Sequence, residues 1–341
     1  MAKERAARGR RRKLRRTLIV LLLVAVVVAG VVLWQRQREA ETAESCTVTP
    51  PGGKPVTMDV DQGSNAATIA AVTIARGLPE RALTIALATS LQESKLRNLD
   101  GGDRDSIGLF QQRPSQGWGT ADQIRDPVYA TNKFLDALVK VPGYAQLPLT
   151  EAAQDVQHSG YPDAYAKHET NATLLASALT GRAPATFTCT VHQFATPDPA
   201  APAGDAVSPS SSASGGSAAG GSAAGGAAVQ QVGDTVRREF GRAVSAAAVP
   251  ATGGTASAAG TTLALTPNPA VSTDGSADAQ TQSGWAVAQW AVAHAQELGI
   301  GTVSYDGKLW RADSSAGWTA QSGTPVTNQV LATLGMPNAK H

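Results

Sequence analysis

The stretch "LQESKLRNLDGGDRDSIGLFQQRP", residues 91–114, decides the fold prediction because it joins two apolar segments through a polar turn rich in glycine and aspartate. The run before it, "PERALTIALATSLQES", is apolar or small almost all round a helical wheel and begins with Pro79, so it predicts a buried central helix. Glu93 comes at the end of this helix, one turn beyond Thr89 and two turns beyond Ala86. Small residues therefore line its helical face and would let a ligand come close.

The position of Glu93 near a helix C-terminus has a chemical consequence. The helix dipole disfavours a negative charge at that end, and burial of the carboxyl would disfavour it further. A carboxyl group in such a place keeps its proton nearer to neutral pH and can act as an acid. The alternative is a solvated glutamate in a last turn, and the local pattern alone leaves both interpretations open.

More helical patterns surround this stretch. They are "AATIAAVTIARGL", "DPVYATNKFLDALVKV", "TEAAQDVQHSG" and "DAYAKHETNATLLASAL". Together with the central helix they predict a mostly helical domain over residues 44–195, with its core at 66–180, which is an ordinary size for one domain.

Two cysteines, Cys46 and Cys189, flank that domain in similar β-prone runs, "SCTVTP" and "TCTVHQ". The two runs can pair as a short ribbon bridged by a disulfide, which suits an oxidising compartment. Closing so long a loop would stabilise the fold by at most about 5 kcal/mol in the chain-entropy model. Two unpaired buried thiols are the alternative. The five histidines are scattered and neither cysteine has a close partner, so we expect no metal and no cofactor.

The charge of the chain is concentrated at its N-terminus. Residues 1–16 carry nine Lys or Arg against one Glu, so that the rest of the chain has a net charge of −6 although the total is +2. A basic surface for nucleic acid is therefore not expected in the folded part.

An uncharged run of eighteen residues, 17–34, follows the basic tail and is long enough to span a membrane as a helix. A signal peptide cleaved near Ala40 or Ala43 is the alternative, although its apolar stretch would normally be shorter. Under the positive-inside rule, residues 1–16 would stay in the cytoplasm and the remainder would lie outside. We therefore expect a single-pass protein of the cell membrane that contacts the bilayer through residues 17–34.

The composition changes after Cys189. Residues 196–282 are rich in Ala, Gly, Ser and Pro and predict a disordered linker, in which 229–247 can form a short helix. Residues 283–341 regain periodicity and predict a helix followed by two strands joined at an Asp306-Gly307 turn. The predicted fold class is mainly α, with a membrane anchor, a helical domain closed by a disulfide-linked ribbon, a disordered linker and a small α+β module.

The C-terminal module is too small to be independently stable, so we expect it to borrow surface from "VRREFGRAV", from the helical domain or from another chain. His294 is interpreted as a packed helix residue rather than a ligand. Trp310 and Trp318 could stack on a sugar, but core packing is the commoner role. The module is predicted to dock or recruit and to do no chemistry.

The spacing of motifs along the quoted stretch resembles that of a known protein family. Glu93-Ser94 is followed fifteen residues later by "GLFQ" at 108–111, and Pro114 comes next. This pattern resembles the lysozyme-like superfamily of soluble lytic transglycosylases and goose-type lysozymes, whose helix ends in Glu-Ser before a Gly-Leu-Met-Gln step. "DPVYATNKFL" at 126–135 also matches that family, and the glycine-rich version here is most similar to membrane-anchored proteins of actinobacteria. The resemblance covers roughly residues 66–180.

The resemblance implies cleavage of peptidoglycan glycan strands with Glu93 as general acid and then base. The N-acetyl group of the substrate can stabilise the oxocarbenium-like state in place of a protein nucleophile. Glu93 could then take the proton of the muramic 6-hydroxyl, giving a 1,6-anhydro end, or that of a water, giving hydrolysis. A hydrolase would want a second carboxylate, for which Asp103 and Asp105 are candidates. Their alternative role is a tight polar turn.

The remaining site residues implied by the resemblance bind the sugar or orient the acid, with ordinary packing as the alternative: Ser94, Gly108, Gln111 and Gln112. Where the family carries Ala-Tyr-Asn-Ala-Gly, this chain has "AAQDVQHSGYPDAY". Gln157 is the candidate to replace the asparagine. The hydroxyl that holds the catalytic glutamate in the family would come from Tyr161 or Tyr165.

Two classes of function remain open. One is a membrane-tethered enzyme that cleaves peptidoglycan, for wall remodelling or to open a passage for a secretion or conjugation complex. The other is an inactive peptidoglycan-binding or structural component of such an envelope complex. The intact Glu-Ser and Gly-Leu-Phe-Gln elements favour the enzyme, whereas the altered tyrosine motif keeps the binder open.

Overall fold

The fold is taken from a computed structural model that describes residues 25–31, 34, 43–194, 220–249, 261–268, 277–323 and 325–335. The chain divides into two compact units, 1–43 and 44–341. Within the first unit, residues 25–31 are helical. No helix among the described residues is long and apolar enough to cross a membrane. The basic tail and most of the predicted span, 17–24 and 32–33, lie outside the described residues.

The first part of the large unit, residues 44–194, is called the first half and is mainly helical. Its helices are α1 Val60–Ala75, α2 Glu80–Glu93, α3 Ala121–Arg125, α4 Pro127–Leu138, α5 Leu149–Gln157 and α6 Glu169–Leu179, with 3-10 helices at Pro114–Gln116 and Pro162–His168. Helix α2 is buried continuously from Ala82 to Ser90, because nearly all of its side chains are small or apolar. The central helix is thus confirmed, and it ends at Glu93 as predicted.

A three-stranded antiparallel sheet closes the first half. Its strands are β1 Ser45–Val48, β2 Val56–Met58 and β3 Phe187–Thr190, in the order β2-β1-β3. Cys46 and Cys189 stand directly opposite each other in this sheet and form a disulfide, which confirms the predicted bridge. Gly63 lets α1 approach the bridge, since a β-carbon there would lie 2.6 Å from the sulfur of Cys46.

The second half, residues 220–335, is a helix-and-sheet structure. Its elements are α7 Gly220–Phe240, β4 Val244–Ala248, β5 Thr262–Pro267, α8 Ala277–Ala293, α9 Ala295–Leu298, β6 Ile300–Tyr305, β7 Lys308–Arg311, β8 Thr319–Ala320 and β9 Val330–Leu334. The strands form one six-stranded antiparallel sheet in the order β4-β5-β9-β6-β7-β8. Asp306 and Gly307 both have positive φ angles and form the predicted turn between β6 and β7.

The fold class predicted from sequence is wrong. The described residues are about half helical and carry two sheets, instead of being mainly α. Within the predicted linker, residues 262–267 form β5, which pairs with β9 and joins the C-terminal strands, so the linker is wrong there. The helix and two strands predicted for residues 283–341 are present as α8, β6 and β7. Ala is depleted in strands, so pairing with neighbouring strands, rather than an intrinsic preference, decides the structure of the Ala-rich runs in β4 and β5. Residues 195–219, 250–260 and 269–276 lie outside the described residues.

The second half packs directly on the first. The Gln289 amide of α8 donates to the carbonyl of Ala178 at 2.6 Å and accepts from the backbone N–H of Phe187 at 2.7 Å. The indole nitrogens of Trp310 and Trp318 donate to the carbonyls of Cys189 and Phe187, each at 2.9 Å. The two halves therefore share one core, and the packing role predicted for both tryptophans is confirmed.

His294 lies beside two carboxylates of the second half, of which Glu239 is buried and Glu297 is exposed. Its Nε2 is 3.4 Å from Oε2 of Glu239 and its Nδ1 is 3.5 Å from Oε2 of Glu297. Burial lowers the pKa of His294, but attraction and hydrogen bonding to Glu239 and Glu297 raise it to about 10. The packed position of His294 was predicted correctly, whereas its two carboxylate neighbours were not predicted.

Candidate functional site

The candidate site is formed where the 3-10 helix Pro162–His168 crosses the end of α2. Tyr165 of the 3-10 helix is fully buried, and its hydroxyl donates to Oε1 of Glu93 at 2.7 Å. Glu93 itself is half-buried. Within the described part of the chain, its second oxygen, Oε2, has no hydrogen-bond partner. The carboxyl group is thus fixed through one oxygen and has the other available.

The surroundings of Tyr165 keep its hydroxyl protonated, so that it remains a hydrogen-bond donor to Glu93. Burial raises the pKa of Tyr165 well above its usual value, and the hydrogen bond to Glu93 and its charge raise it further. A hydrogen bond from the Ser159 side chain acts in the opposite direction. The Tyr165 hydroxyl therefore keeps its proton throughout the neutral range and can only stabilise the carboxylate by donating to it.

A second contact holds the same 3-10 helix to α2. Nε2 of His168 lies 3.1 Å from Oε1 of Gln92, so the ring nitrogen is the donor in this pair. Burial, and then the charge of Lys167, lower the pKa of His168, which is therefore neutral at pH 7. Tyr165 and His168 are three residues apart, which places both on one side of a 3-10 turn. His168 was not predicted as a site residue from the sequence, and this spacing is the signal that could have identified it.

Ser94 connects the end of α2 to the "GLFQ" turn. It is buried, and its hydroxyl donates to the carbonyl of Leu109 at 2.7 Å. Ser90, one turn earlier, donates to the same carbonyl at 3.1 Å. These bonds require a fixed spacing between Glu93 and Leu109. Ser94 thus positions the turn, which corresponds to the packing alternative.

The turn itself needs its glycine. Gly108 has a φ of +76°, and a β-carbon there would lie 2.8 Å from the carbonyl oxygen of Ile124. Gln111 also has a positive φ, and its amide donates to the carbonyl of Gly108 at 3.2 Å. Gln112 is buried and donates to the carbonyl of Ala130 at 3.1 Å. These residues build the turn, and of the two glutamines only Gln111 is partly exposed.

Gln157 and Tyr161 have different roles. Gln157, at the end of α5, donates through its side chain to the carbonyl of Phe110 at 2.8 Å, so it supports the "GLFQ" turn. Tyr161 has 78% of its surface exposed, and its backbone N–H donates to the hydroxyl of Ser159 at 3.2 Å. Of the two tyrosines considered from sequence, Tyr165 and not Tyr161 supplies the hydroxyl at Glu93.

Asp105, a candidate second carboxylate, braces its own loop. It accepts from Nε of Arg113 at 2.7 Å, and from the backbone N–H of Ser115 at 2.8 Å and its hydroxyl at 3.0 Å. These hydrogen bonds, with that of Arg113 foremost, hold the pKa of Asp105 far below its usual value. The other candidate, Asp103, is exposed and lies 4.0 Å from Arg104. Both therefore fit the polar-turn alternative.

Among the described residues, no group of three or more His, Cys, Asp or Glu side chains could hold a metal ion.

Comparisons with known proteins bear on the second half alone. No curated protein matches the chain. Residues 223–330, from α7 to the start of β9, are similar to the family described as VldE, C-terminal domain.

Proposed function

We propose that this protein cleaves the glycan strand of peptidoglycan and that Glu93 is its general acid and base. The observation that carries the proposal is the Tyr165 hydroxyl on Oε1 of Glu93, which leaves Oε2 for proton transfer. A general acid must be held within reach of the reacting oxygen while one of its own oxygens stays accessible. The buried Tyr165 supports this role because it replaces the hydroxyl that the family motif would have supplied.

Proton transfer from Oε2 of Glu93 to the glycosidic oxygen would start the reaction. The bond between the anomeric carbon and that oxygen breaks, and its electron pair stays on the leaving oxygen with the new proton. The N-acetyl group of the substrate stabilises the resulting oxocarbenium-like centre. Tyr165 stabilises the carboxylate that remains, because its hydroxyl donates to Oε1.

The second step distinguishes two products. In one, the 6-hydroxyl of the same sugar bonds to the anomeric carbon and gives its proton to Glu93, which forms a 1,6-anhydro end. In the other, a water does the same and a reducing end forms. Asp105 is held by Arg113 and Ser115, so it is poorly suited to position a water. We therefore favour the anhydro product, which needs no second carboxylate.

The same proposal includes a location on the outer side of the cell envelope, where the substrate is. The Cys46–Cys189 disulfide supports it, since such bonds persist in oxidising compartments. Partners in this setting are peptidoglycan glycan strands and, in the wider sense, a cell-envelope, secretion or conjugation complex. No nucleic acid is expected.

Mass spectrometry of digested peptidoglycan tests the activity. The wild-type protein should release fragments with 1,6-anhydro ends, and Glu93→Gln should reduce the rate by about a thousandfold because the amide cannot transfer the proton. Glu151→Gln, which changes an exposed carboxylate on α5, is the matched control and should keep wild-type activity. Equal melting temperatures of the three proteins would show that folding is unaffected.

A binding protein is the second candidate, and one observation favours it. The chain lacks the Ala-Tyr-Asn-Ala-Gly motif and has "AAQDVQHSG" at 152–160 in its place. In this case wild-type protein would release no fragments of either kind, and glycan strands would bind equally to the wild-type and Glu93→Gln proteins. Wild-type turnover by Glu93→Gln would refute the enzyme assignment directly.

A further inference from the structure

We propose that His168 is a positioning residue that keeps the Tyr165 hydroxyl on the carboxyl group of Glu93. It acts through its hydrogen bond to Gln92, which fixes the 3-10 helix Pro162–His168 against the end of α2. The inference rests on the proposed function and extends it to a residue outside the motifs that carry the family resemblance.

The 3-10 helix that carries Tyr165 depends on its neighbours for its position. It is seven residues long, and long 3-10 runs are uncommon because their hydrogen-bond geometry is poor. Two side-chain contacts of this helix reach the last turn of α2. The Tyr165 hydroxyl donates to Oε1 of Glu93 at 2.7 Å, and Nε2 of His168 lies 3.1 Å from Oε1 of Gln92.

These two contacts restrain the 3-10 helix in different directions. Tyr165 and His168 project from one side of it, because residues three apart eclipse each other in a 3-10 helix. Gln92 and Glu93 are consecutive on α2, so their side chains project about 100° apart around its axis. One bond alone would let the 3-10 helix pivot about Tyr165, whereas the two bonds together fix its distance and its rotation. Loss of the His168 bond should therefore let the Tyr165 hydroxyl move away from Glu93.

The imidazole of His168 has one donor and uses it in this contact. Burial, and then the charge of Lys167, lower the pKa of His168, so the ring is neutral at pH 7 and has a single N–H. Oε1 of Gln92 can only accept a hydrogen bond, which places that proton on Nε2 of His168. A glutamine at position 168 would offer an amide donor in place of this N–H, whereas an alanine would offer none.

The next residue, Glu169, also contacts α2 but far from the candidate acid. Its Oε1 accepts from Nη1 of Arg81 at 2.9 Å, near the opposite end of the helix from Glu93. The Glu169 side chain is 46% exposed, so removal of this ion pair should weaken the packing only slightly. Glu169→Ala is therefore the matched control, since it removes a neighbouring contact to the same helix and leaves the contacts at Gln92 and Glu93 in place.

Steady-state release of glycan fragments by the full chain tests the positioning role. His168→Ala should lower kcat about fivefold with little change in KM, because the Tyr165 hydroxyl orients the acid and does not bind the substrate. His168→Gln should restore kcat to within about twofold of the wild type, and Glu169→Ala should keep the wild-type value. Gln92→Ala removes the acceptor instead of the donor, so it should behave like His168→Ala and provides the test if that variant does not fold. Equal losses of kcat in His168→Ala and Glu169→Ala would overturn the proposal, because any contact that docks this segment would then suffice.

A double variant tests whether His168 acts through Tyr165. In a Tyr165→Phe chain the hydroxyl is already absent, so adding His168→Ala should change kcat by less than about twofold. Losses that multiply would overturn the proposal, because His168 would then act on Glu93 or on the substrate by another route.

Carbon-13 NMR of the tyrosine rings tests the same contact without turnover. The chain has five tyrosines, so labelling at Cζ gives few signals, and Tyr165→Phe identifies the one from Tyr165. His168→Ala should move this signal towards the position of an exposed tyrosine, whereas Glu169→Ala should leave it in place. If the wild type releases no fragments but the signal moves, the enzyme proposal fails and the positioning of Glu93 stands. If the wild type cleaves and His168→Ala changes neither the signal nor kcat, only the positioning role fails.

Discussion

Glu93 in the first half and Glu239 in the second have the same side chain but differ in burial and in their hydrogen-bond partners. Each accepts a hydrogen bond from an aromatic side chain at 2.7 Å, Glu93 from Tyr165 and Glu239 from Trp290. Glu239 is only 6% exposed, whereas Glu93 is half-buried. The two residues therefore differ mainly in the contacts that their carboxylate oxygens make.

Both oxygens of Glu239 are occupied. Oε1 accepts from the hydroxyl of Thr68 at 3.0 Å, and Oε2 faces both the Trp290 indole and the His294 ring. Thr68 belongs to the first half, so this carboxylate joins the two halves. A buried charge with all its partners in place can hold a structure together, but it has no atom free for a substrate. Proton transfer requires a carboxylate oxygen that is not already hydrogen-bonded within the protein, such as Oε2 of Glu93.

The largest expected effect comes from removing the second half. A chain that ends at Phe194 would lose Gln289, which bonds to the backbone of β3, and Trp310, which bonds to Cys189. Because the halves share one core, we expect no cooperative unfolding transition and no glycan cleavage. Circular dichroism during heating measures the transition, with the full chain as control. A truncated chain that folds and cleaves would contradict this prediction, because Glu239 would then be dispensable.

Replacing Glu239 tests its structural role directly. Glu239→Gln should lower the free energy of unfolding by about 3 kcal/mol, because the buried His294 loses its charged partner. Glu297→Gln is the matched control: it contacts the same imidazole but is 59% exposed, so its loss should cost under about 1 kcal/mol. Urea titration measures both. Glycan cleavage by folded Glu239→Gln should equal that of the wild type, and a loss there would show that Glu239 supports catalysis.

The buried contact between His294 and Glu239 should make the stability of the fold depend on pH. The pKa of His294 rises from about 6.5 in the unfolded chain to about 10 in the folded one. Its contribution to stability is therefore complete below pH 6.5 and is lost as the pH rises towards 10, at no more than about 1.4 kcal/mol per pH unit. His294→Gln should remove this part of the decline. Denaturant titrations from pH 6 to 10 would contradict the assignment if both proteins declined equally.

The site was predictable where its signals are local, and the second sheet was not. A buried helix ending at Glu93 follows from a continuous run of small and apolar residues, and the bridge follows from two similar β-prone runs. Strand β5 pairs with β9, so that Thr262 of β5 lies opposite Thr333 of β9, although the two residues are far apart in the sequence. The short run of Thr, Leu and Ala in β5 does not indicate that β9 is its partner. Its strand structure therefore depends on tertiary pairing and could not be predicted from the low-complexity sequence.

Tyr165 shows the same limit within the site. The sequence left two tyrosines as candidates, because a hydroxyl at either position could reach Glu93 in an unknown loop. The choice depends on the 3-10 helix Pro162–His168, which turns Tyr165 inward and leaves Tyr161 outside. Short 3-10 segments have no strong periodic signal of their own. The register of a single turn thus decided which residue contacts the acid.

The smallest expected effect concerns the hydroxyl that distinguishes Glu93 from a solvated glutamate. Tyr165→Phe keeps the buried ring and removes only the donor to Oε1, so kcat should fall about tenfold while KM and the melting temperature change little. Tyr305→Phe is the matched control, because that hydroxyl donates to the carbonyl of Thr327 at 2.9 Å in the second half and should not affect the rate. Steady-state release of glycan fragments measures both variants. A wild-type kcat for Tyr165→Phe would mean that Glu93 needs no fixed oxygen, and the contrast with Glu239 would then rest on exposure alone.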